Sequence, residues 1–245
     1  HVARCASTLV SQSLKRLEEL VVYAEPQPIN ELLAPPHKWP SAELAAALRS
    51  LGVAFARHAR GPYVLKLSSW NTLYCDIVAE AFPDTPWVLC VRDPVEVGVS
   101  LLASPPGWFE STSEAARALA AQVDSQGASR SREEFVARVY GAFCAAAAEL
   151  DVGRGRLVSY ESLPEAVWRT VAPHFSLSID GPLRDRIAET ARRHAKAPIG
   201  TVAEFTSDVA AKQEAASSEL RLAIDSLARP QLERLMRLHA DTMRR

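Results

Sequence analysis

The sequence predicts an α/β protein, with three layers (α/β/α) around a central, mostly parallel sheet of four to five strands. Three observations predict it. Short apolar runs of strand length recur along the chain, and most are followed by a longer stretch with helical spacing. The third is size: 245 residues, 48% of them hydrophobic, suit one domain with an ample core. Strands that alternate with helices join in parallel through crossovers, and the helices then cover both faces of the sheet.

Residues His1 to Leu9 read as a strand end, a tight turn of small residues and a helix start. Leu9, Val10, Leu14, Leu17 and Leu20 then recur at helical spacing. Candidate buried strands follow at Val21–Ala24, Tyr63–Leu67, Trp87–Val91 and Arg156–Ser159. Helical patterns cover about 41–59, 71–82, 94–103, 131–150, 162–173, 181–196 and 216–243. Pro26, Pro28, Pro35, Pro36 and Pro40 predict an irregular segment after Ala24. Ser104–Trp108 reads as a loop, and 197–212 as a long, mostly irregular one. Long loops in compact α/β domains tend to hold ligands or act as lids. The expected organisation is one domain over 1–245, with some residues ahead of His1 belonging to it. Its 197–245 part would be helical and carry a lid-like loop. The leucines from Leu220 to Leu238 could pack on the domain or on a second copy, which leaves the oligomeric state open.

Lys and Arg total 28 against 29 Asp and Glu, so no global field argues for nucleic acid or a membrane surface. No apolar run approaches a membrane span and no signal peptide is visible, so a cytoplasmic protein is expected. Cys5, Cys75, Cys90 and Cys144 have neither close pairing nor metal-ligand spacing and read as reduced thiols. No divalent metal is implied, since the chain has no G-K-[ST] loop end and no His/Asp/Glu ligand cluster.

Two places suit an anion. A strand that turns directly into a helix aims backbone N–H groups and the positive end of the helix dipole at whatever sits in the turn. In the opening turn Arg4 adds a permanent cation, and Ser7 and Thr8 add hydroxyl donors. The second place follows the strand ending at Val91, where Arg92-Asp93-Pro94 opens a helix that carries Ser100. Ligands of open parallel sheets bind at the carboxyl ends of the strands. Ser100 lies about two turns beyond Arg92 on roughly the same side, so the two could grip a phosphate. Equally, Arg92 could pair with Asp93 or Glu96 while Ser100 packs.

Together these segments resemble a sulfotransferase that uses 3′-phosphoadenosine 5′-phosphosulfate (PAPS). Arg4, Cys5, Ala6, Ser7, Thr8 and Leu9 are similar to the family's 5′-phosphosulfate loop, written P-[KR]-[SC]-G-[ST]-T. Val91-Arg92-Asp93-Pro94 through Ser100 resembles its 3′-phosphate motif, and Val158-Ser159-Tyr160-Glu161-Ser162-Leu163 its strand-end Y-E-x-L segment. The three stand in the family's order across most of residues 1–165. The resemblance implies a P-loop NTPase-like core, PAPS as co-substrate and PAP as product. It implies donor contacts from Arg4, Cys5, Ala6, Ser7, Thr8, Arg92, Ser100 and Tyr160. Ala6 stands where the family usually has Gly and Ala3 where it has Pro. If position 6 requires φ > 0, its Ala costs about 1 kcal/mol.

Sulfuryl transfer needs a base for the acceptor hydroxyl or amine. Glu25 directly follows a strand and is the best candidate; a carboxylate partly desolvated there could take a proton near neutrality. Lys66, also at a strand end, would stabilise charge on the transferring group, as a family lysine in this region does. The plain alternatives are a solvated Glu25 and a Lys66 that snorkels over the sheet edge. Ser68 could cap a helix or touch ligand. Trp39, Trp70, Trp108 and Phe109 could line an acceptor pocket, and Lys196 and Lys212 could reach the nucleotide. His37, His58, His174, His194 and His239 suggest no ligand set. The acceptor would be a small molecule or glycan. Two other readings stand beside this one: a non-catalytic domain of the same type that binds nucleotide or a partner, and a divergent P-loop phosphotransferase.

Overall fold

A computed structural model describes residues 1–36, 39–110, 113–124, 127–192 and 208–243. The fold is mixed α/β with helix predominating and, among the described residues, four strands, each within one residue of its predicted bounds: β1 (Val21–Ala24), β2 (Tyr63–Lys66), β3 (Trp87–Val91) and β4 (Gly155–Ser159). Both strand pairs are parallel. Val21 lies opposite Tyr63 in the pair β1–β2, and Trp87 opposite Gly155 in β3–β4.

The helices before β3 are α1 (Ser7–Leu14), α2 (Gln27–Leu33), α3 (Ser41–Ala59) and α4 (Cys75–Ala81), the last entered through a 3₁₀ turn at Ser69–Tyr74. Between β3 and β4 come α5 (Pro94–Ala103), α6 (Gly107–Glu110), α7 (Glu114–Val123) and α8 (Arg132–Ala147). After β4 come a π-helical segment (Val167–Val171), α9 (Ala172–His174), α10 (Gly181–Arg192), α11 (Val209–Ala215) and α12 (Ser218–Ala223). A second π-helical segment, Ile224–Ala228, leads into α13 (Arg229–Met243).

The core is built around α8. Val136, Ala137, Val139, Tyr140, Phe143, Cys144 and Ala147 are all buried there, so this helix is apolar almost all round, as an interior helix must be. A Cβ on Gly141 would stand 2.4 Å from the Leu227 carbonyl oxygen, so glycine is what lets α8 approach the second π-helical segment.

Three expectations need correction. First, the single central sheet is absent: among the described residues there are two separate two-stranded sheets. Every residue of β2, and Trp87–Cys90 of β3, lines a cavity of about 610 Å³, and no strand pairing joins β2 to β3. Second, the proline-rich segment after Ala24 contains α2. Pro26 is its N-cap and Pro28 sits in its first turn, where a missing N–H breaks no helical bond, while Ile29 and Leu33 bury one face. Third, α6, α7 and α11 form where no helix was expected. Ser113 caps α7 by accepting from the Ala116 N–H.

Candidate nucleotide and transfer site

The opening turn is held in a conformation that side chains resist. Arg4 has φ 58° and Ala6 has φ 60° with ψ 20°, both in the left-handed region, so the condition attached to Ala6 by the sequence is met. Ala6 is also the N-cap of α1, and it has no side-chain oxygen to bond the helix's first amides. Cys5 turns inward: its Sγ donates to the Val2 carbonyl at 2.8 Å and lies beside Cys90 and His1. Only the backbone of Cys5 is therefore placed to meet a ligand. The Arg4 guanidinium donates to the carbonyl oxygen of Ser104 and, at 3.3 Å, to its hydroxyl. Ser104 N in turn donates to the Ser100 carbonyl at 3.1 Å, so the turn is tied to the last turn of α5.

The next strand ends bring Glu25 and Lys66 together. Glu25 N donates to the Lys66 carbonyl at 2.6 Å, and the Lys66 ammonium donates to Glu25 Oε1. His1 Nε2 stands 3.9 Å from the same oxygen. Glu25, too, has a positive φ, 52°. Its side chain is 45% exposed. Lys66 is largely buried beside it.

Arg92 follows β3 and is almost fully buried. Its Nε donates to Glu96 Oε2 at 2.7 Å, an amino-terminal guanidinium-to-carboxylate pair one helical turn apart, and a second nitrogen donates to Asp208 Oδ1 at 2.5 Å. The guanidinium carbon lies 3.8 Å from the centre of the Tyr160 ring, a cation–π contact across the ends of β3 and β4. Tyr140 donates its hydroxyl to the Arg92 carbonyl at 2.7 Å. Burial works against the Arg92 charge, yet the bonds to Asp208 and Glu96 outweigh it and raise its pKa. For Asp208 burial again opposes ionisation, but bonds from Lys212 and Arg92 hold its carboxyl below the usual range. Burial raises the Tyr160 phenol, with Arg92 opposing.

The carboxyl end of the expected 197–212 loop thus reaches the site, since Asp208 precedes α11. Gln213 on that helix donates to Asp93 at 3.1 Å and to Glu96 at 3.3 Å. Lys212 Nζ donates to Asp208 Oδ2 at 2.6 Å. Ser100 is half-buried on α5. Ser68 caps the 3₁₀ turn in a reciprocal capping box with Asn71. Trp70 is in the core, Trp108 and Phe109 pack against Phe143 and Phe135, and Trp39 is exposed. His58 bonds Tyr23, His174 lies between two backbone carbonyls, and His239 is buried against Trp87. His37, His194, Lys196 and residues 193–207 lie outside the described residues.

Sequence reasoning missed His1, Asp208, Gln213 and Ser104. Glu96 had a signal, its i,i+4 spacing from Arg92. Asp208 had none, standing 116 residues away. Among the described residues no group of three or more His, Cys, Asp or Glu side chains is arranged to hold a metal, and no helix is long and apolar enough to cross a membrane. Comparison with protein-family models, with curated proteins and with solved structures finds no match to this chain.

Proposed function

We propose that this chain is a PAPS-dependent sulfotransferase acting on a hydroxyl or amine of a small-molecule or glycan acceptor. One observation supports the reading above the others. Of the five non-glycine residues with positive φ among the described residues, Arg4, Ala6 and Glu25 stand at the turn and strand end that the sequence singled out. Backbone strain of this kind, about 1–3 kcal/mol per residue, persists where surrounding structure demands it and clusters at functional sites.

In this reading the turn amides with Arg4, Ser7 and Thr8 hold the 5′-phosphosulfate. Arg92, Ser100 and Tyr160 hold the 3′-phosphate and its nucleoside. Glu25 takes the acceptor's proton as the acceptor oxygen or nitrogen bonds to sulfur. The bond from sulfur to the bridging phosphate oxygen breaks, and PAP leaves with that electron pair. Lys66, already on Glu25, moves its ammonium to the bridging oxygen and stabilises the charge that develops there. Arg4 exchanges the Ser104 carbonyl for the phosphosulfate.

Calorimetry with adenosine 3′,5′-bisphosphate and with AMP tests the donor assignment. Much tighter binding of the bisphosphate is expected, and Arg92→Ala should abolish the difference. Equal affinities for the two nucleotides would overturn it.

A non-catalytic nucleotide- or partner-binding domain is the second reading. Two observations favour it: the Ala6 side chain in a left-handed turn, and the Asp208 carboxylate seated on Arg92. Transfer of label from PAPS to an acceptor panel separates the two. Bisphosphate binding without transfer to any acceptor selects the second.

A further inference from the structure

Two nitrogens address one oxygen of Glu25. The Lys66 ammonium donates to Oε1, and His1 Nε2 stands 3.9 Å from that same atom. The protonation of the ring follows from its other side. His1 Nδ1 lies 2.8 Å from the Val2 carbonyl oxygen, which can only accept, so Nδ1 carries the proton. In the neutral ring Nε2 is then a bare acceptor, and a carboxylate oxygen is an acceptor too. Two lone pairs that face each other cannot bond, which accounts for the gap. Nε2 is buried and has no hydrogen-bond partner among the described residues. One added proton on Nε2 turns the contact into an imidazolium–carboxylate hydrogen bond, after an approach of about 1 Å.

The ring is held for this contact. Thr72 donates its hydroxyl to the His1 carbonyl at 3.3 Å, and Val2 N donates to the Cys90 carbonyl at 3.2 Å, so the 3₁₀ turn and β3 fix the residue from two sides. The His1 side chain is 12% exposed against 45% for Glu25, which is the partner with room to move. The titratable groups around the ring are Glu25, Lys66 and Cys5, with Cys90 beside Cys5. Burial, the largest influence, disfavours the imidazolium, and the Lys66 charge adds to that. Cys5 and the Val2 carbonyl outweigh both and raise the pKa of the ring. Lys66 thus opposes a proton on His1 and occupies the oxygen that the proton would meet.

We propose that His1 is a positioning residue that replaces Lys66 at Glu25: as the ammonium leaves Oε1 for the donor, Nε2 takes a proton from water and donates it in a hydrogen bond to Oε1. Glu25 then keeps a cationic partner on Oε1 through the reaction, and its second oxygen stays turned to the acceptor's proton. This inference rests on the roles given to Glu25 and Lys66 in the transfer reading.

Nitrogen NMR of histidine-labelled protein tests it, with His1→Gln identifying the His1 signals. The neutral ring is expected to carry its proton on Nδ1. Lys66→Met vacates Oε1 without any nucleotide. It should raise the His1 titration midpoint by about one pH unit with Glu25 in place, and by less than half of that in the Glu25→Gln background. Saturating adenosine 3′,5′-bisphosphate should raise the wild-type midpoint by a similar amount. A neutral ring protonated on Nε2 overturns the proposal. So does an equal rise in the two backgrounds, which would be the field of Lys66 alone. A Glu25-dependent rise that the bisphosphate does not reproduce supports the exchange at Oε1 and counts against the donor reading instead.

Discussion

The opening turn and the Arg92 pocket each hold one arginine at the same edge of the strands, and they hold it in opposite ways. Arg4 is partly exposed, its guanidinium rests on the neutral acceptors of Ser104, and its own backbone is strained. Arg92 is buried, and its charge is answered by two carboxylates and an aromatic face. A cation near water can be left lightly paired, and its position is then set through the chain conformation. A cation taken out of water needs counter-charges at once. An anion arriving at Arg4 adds a charged partner where only dipoles stand. At Arg92 an anion must displace one, and Asp208, half-exposed and flanked by Lys212, is the one able to leave.

The largest expected effect lies on the Arg92 side. Arg92→Ala strands the Glu96 carboxylate in the interior and should cost about 3–5 kcal/mol in urea unfolding. The paired change Arg92→Met with Glu96→Leu removes both charges and should stay near wild-type stability while losing the preference for a 3′-phosphate. A small loss in Arg92→Ala would mean that Glu96 finds water, erasing the contrast between the two regions.

Chemistry comes next. Glu25→Gln is expected to retain bisphosphate affinity and to lower transfer by about 10²–10⁴-fold, the usual contribution of a positioned base. Unchanged turnover rules Glu25 out.

On the Arg4 side, Ala6→Gly relieves the left-handed strain and should raise stability by about 1 kcal/mol, with tighter donor binding. If neither stability nor affinity rises, the turn's strain is not what limits it.

The smallest effect is that of Asp208→Asn, a few-fold gain in bisphosphate affinity on removing the competing carboxylate, read by calorimetry. Its pH behaviour has a fixed sign. Asp208 is depressed in the folded chain, so its contribution to stability is complete above the ordinary Asp value of about 3.9 and is lost as pH falls below it. The stability difference between wild type and Asp208→Asn should therefore be present at pH 6 and vanish in stronger acid.

How much of this was legible in the sequence depends on range. Strands of four or five residues with β-branched and aromatic content announced themselves, and so did α3 and α5, whose bounds match their patterns. The residues at the strand ends were legible because parallel topology places them there. Pairings across distance were not. Lys66 with Glu25 and Arg92 with Asp208 join segments whose spacing carries no periodicity. The α2 helix was hidden because prolines usually break helices, and here both fall where a helix has no bond to lose. The division of the sheet was equally hidden, since strand patterns report which segments extend and not which edges meet.

Tyr140 gives the molecule a property that matters when variants are screened. Its hydroxyl comes from the middle of a helix whose neighbours Val136, Phe143 and Cys144 are all interior, and it fixes the carbonyl of Arg92. A substitution that displaces Tyr140 within the interior therefore acts on the backbone from which the Arg92 guanidinium extends, although Tyr140 itself is out of reach of solvent.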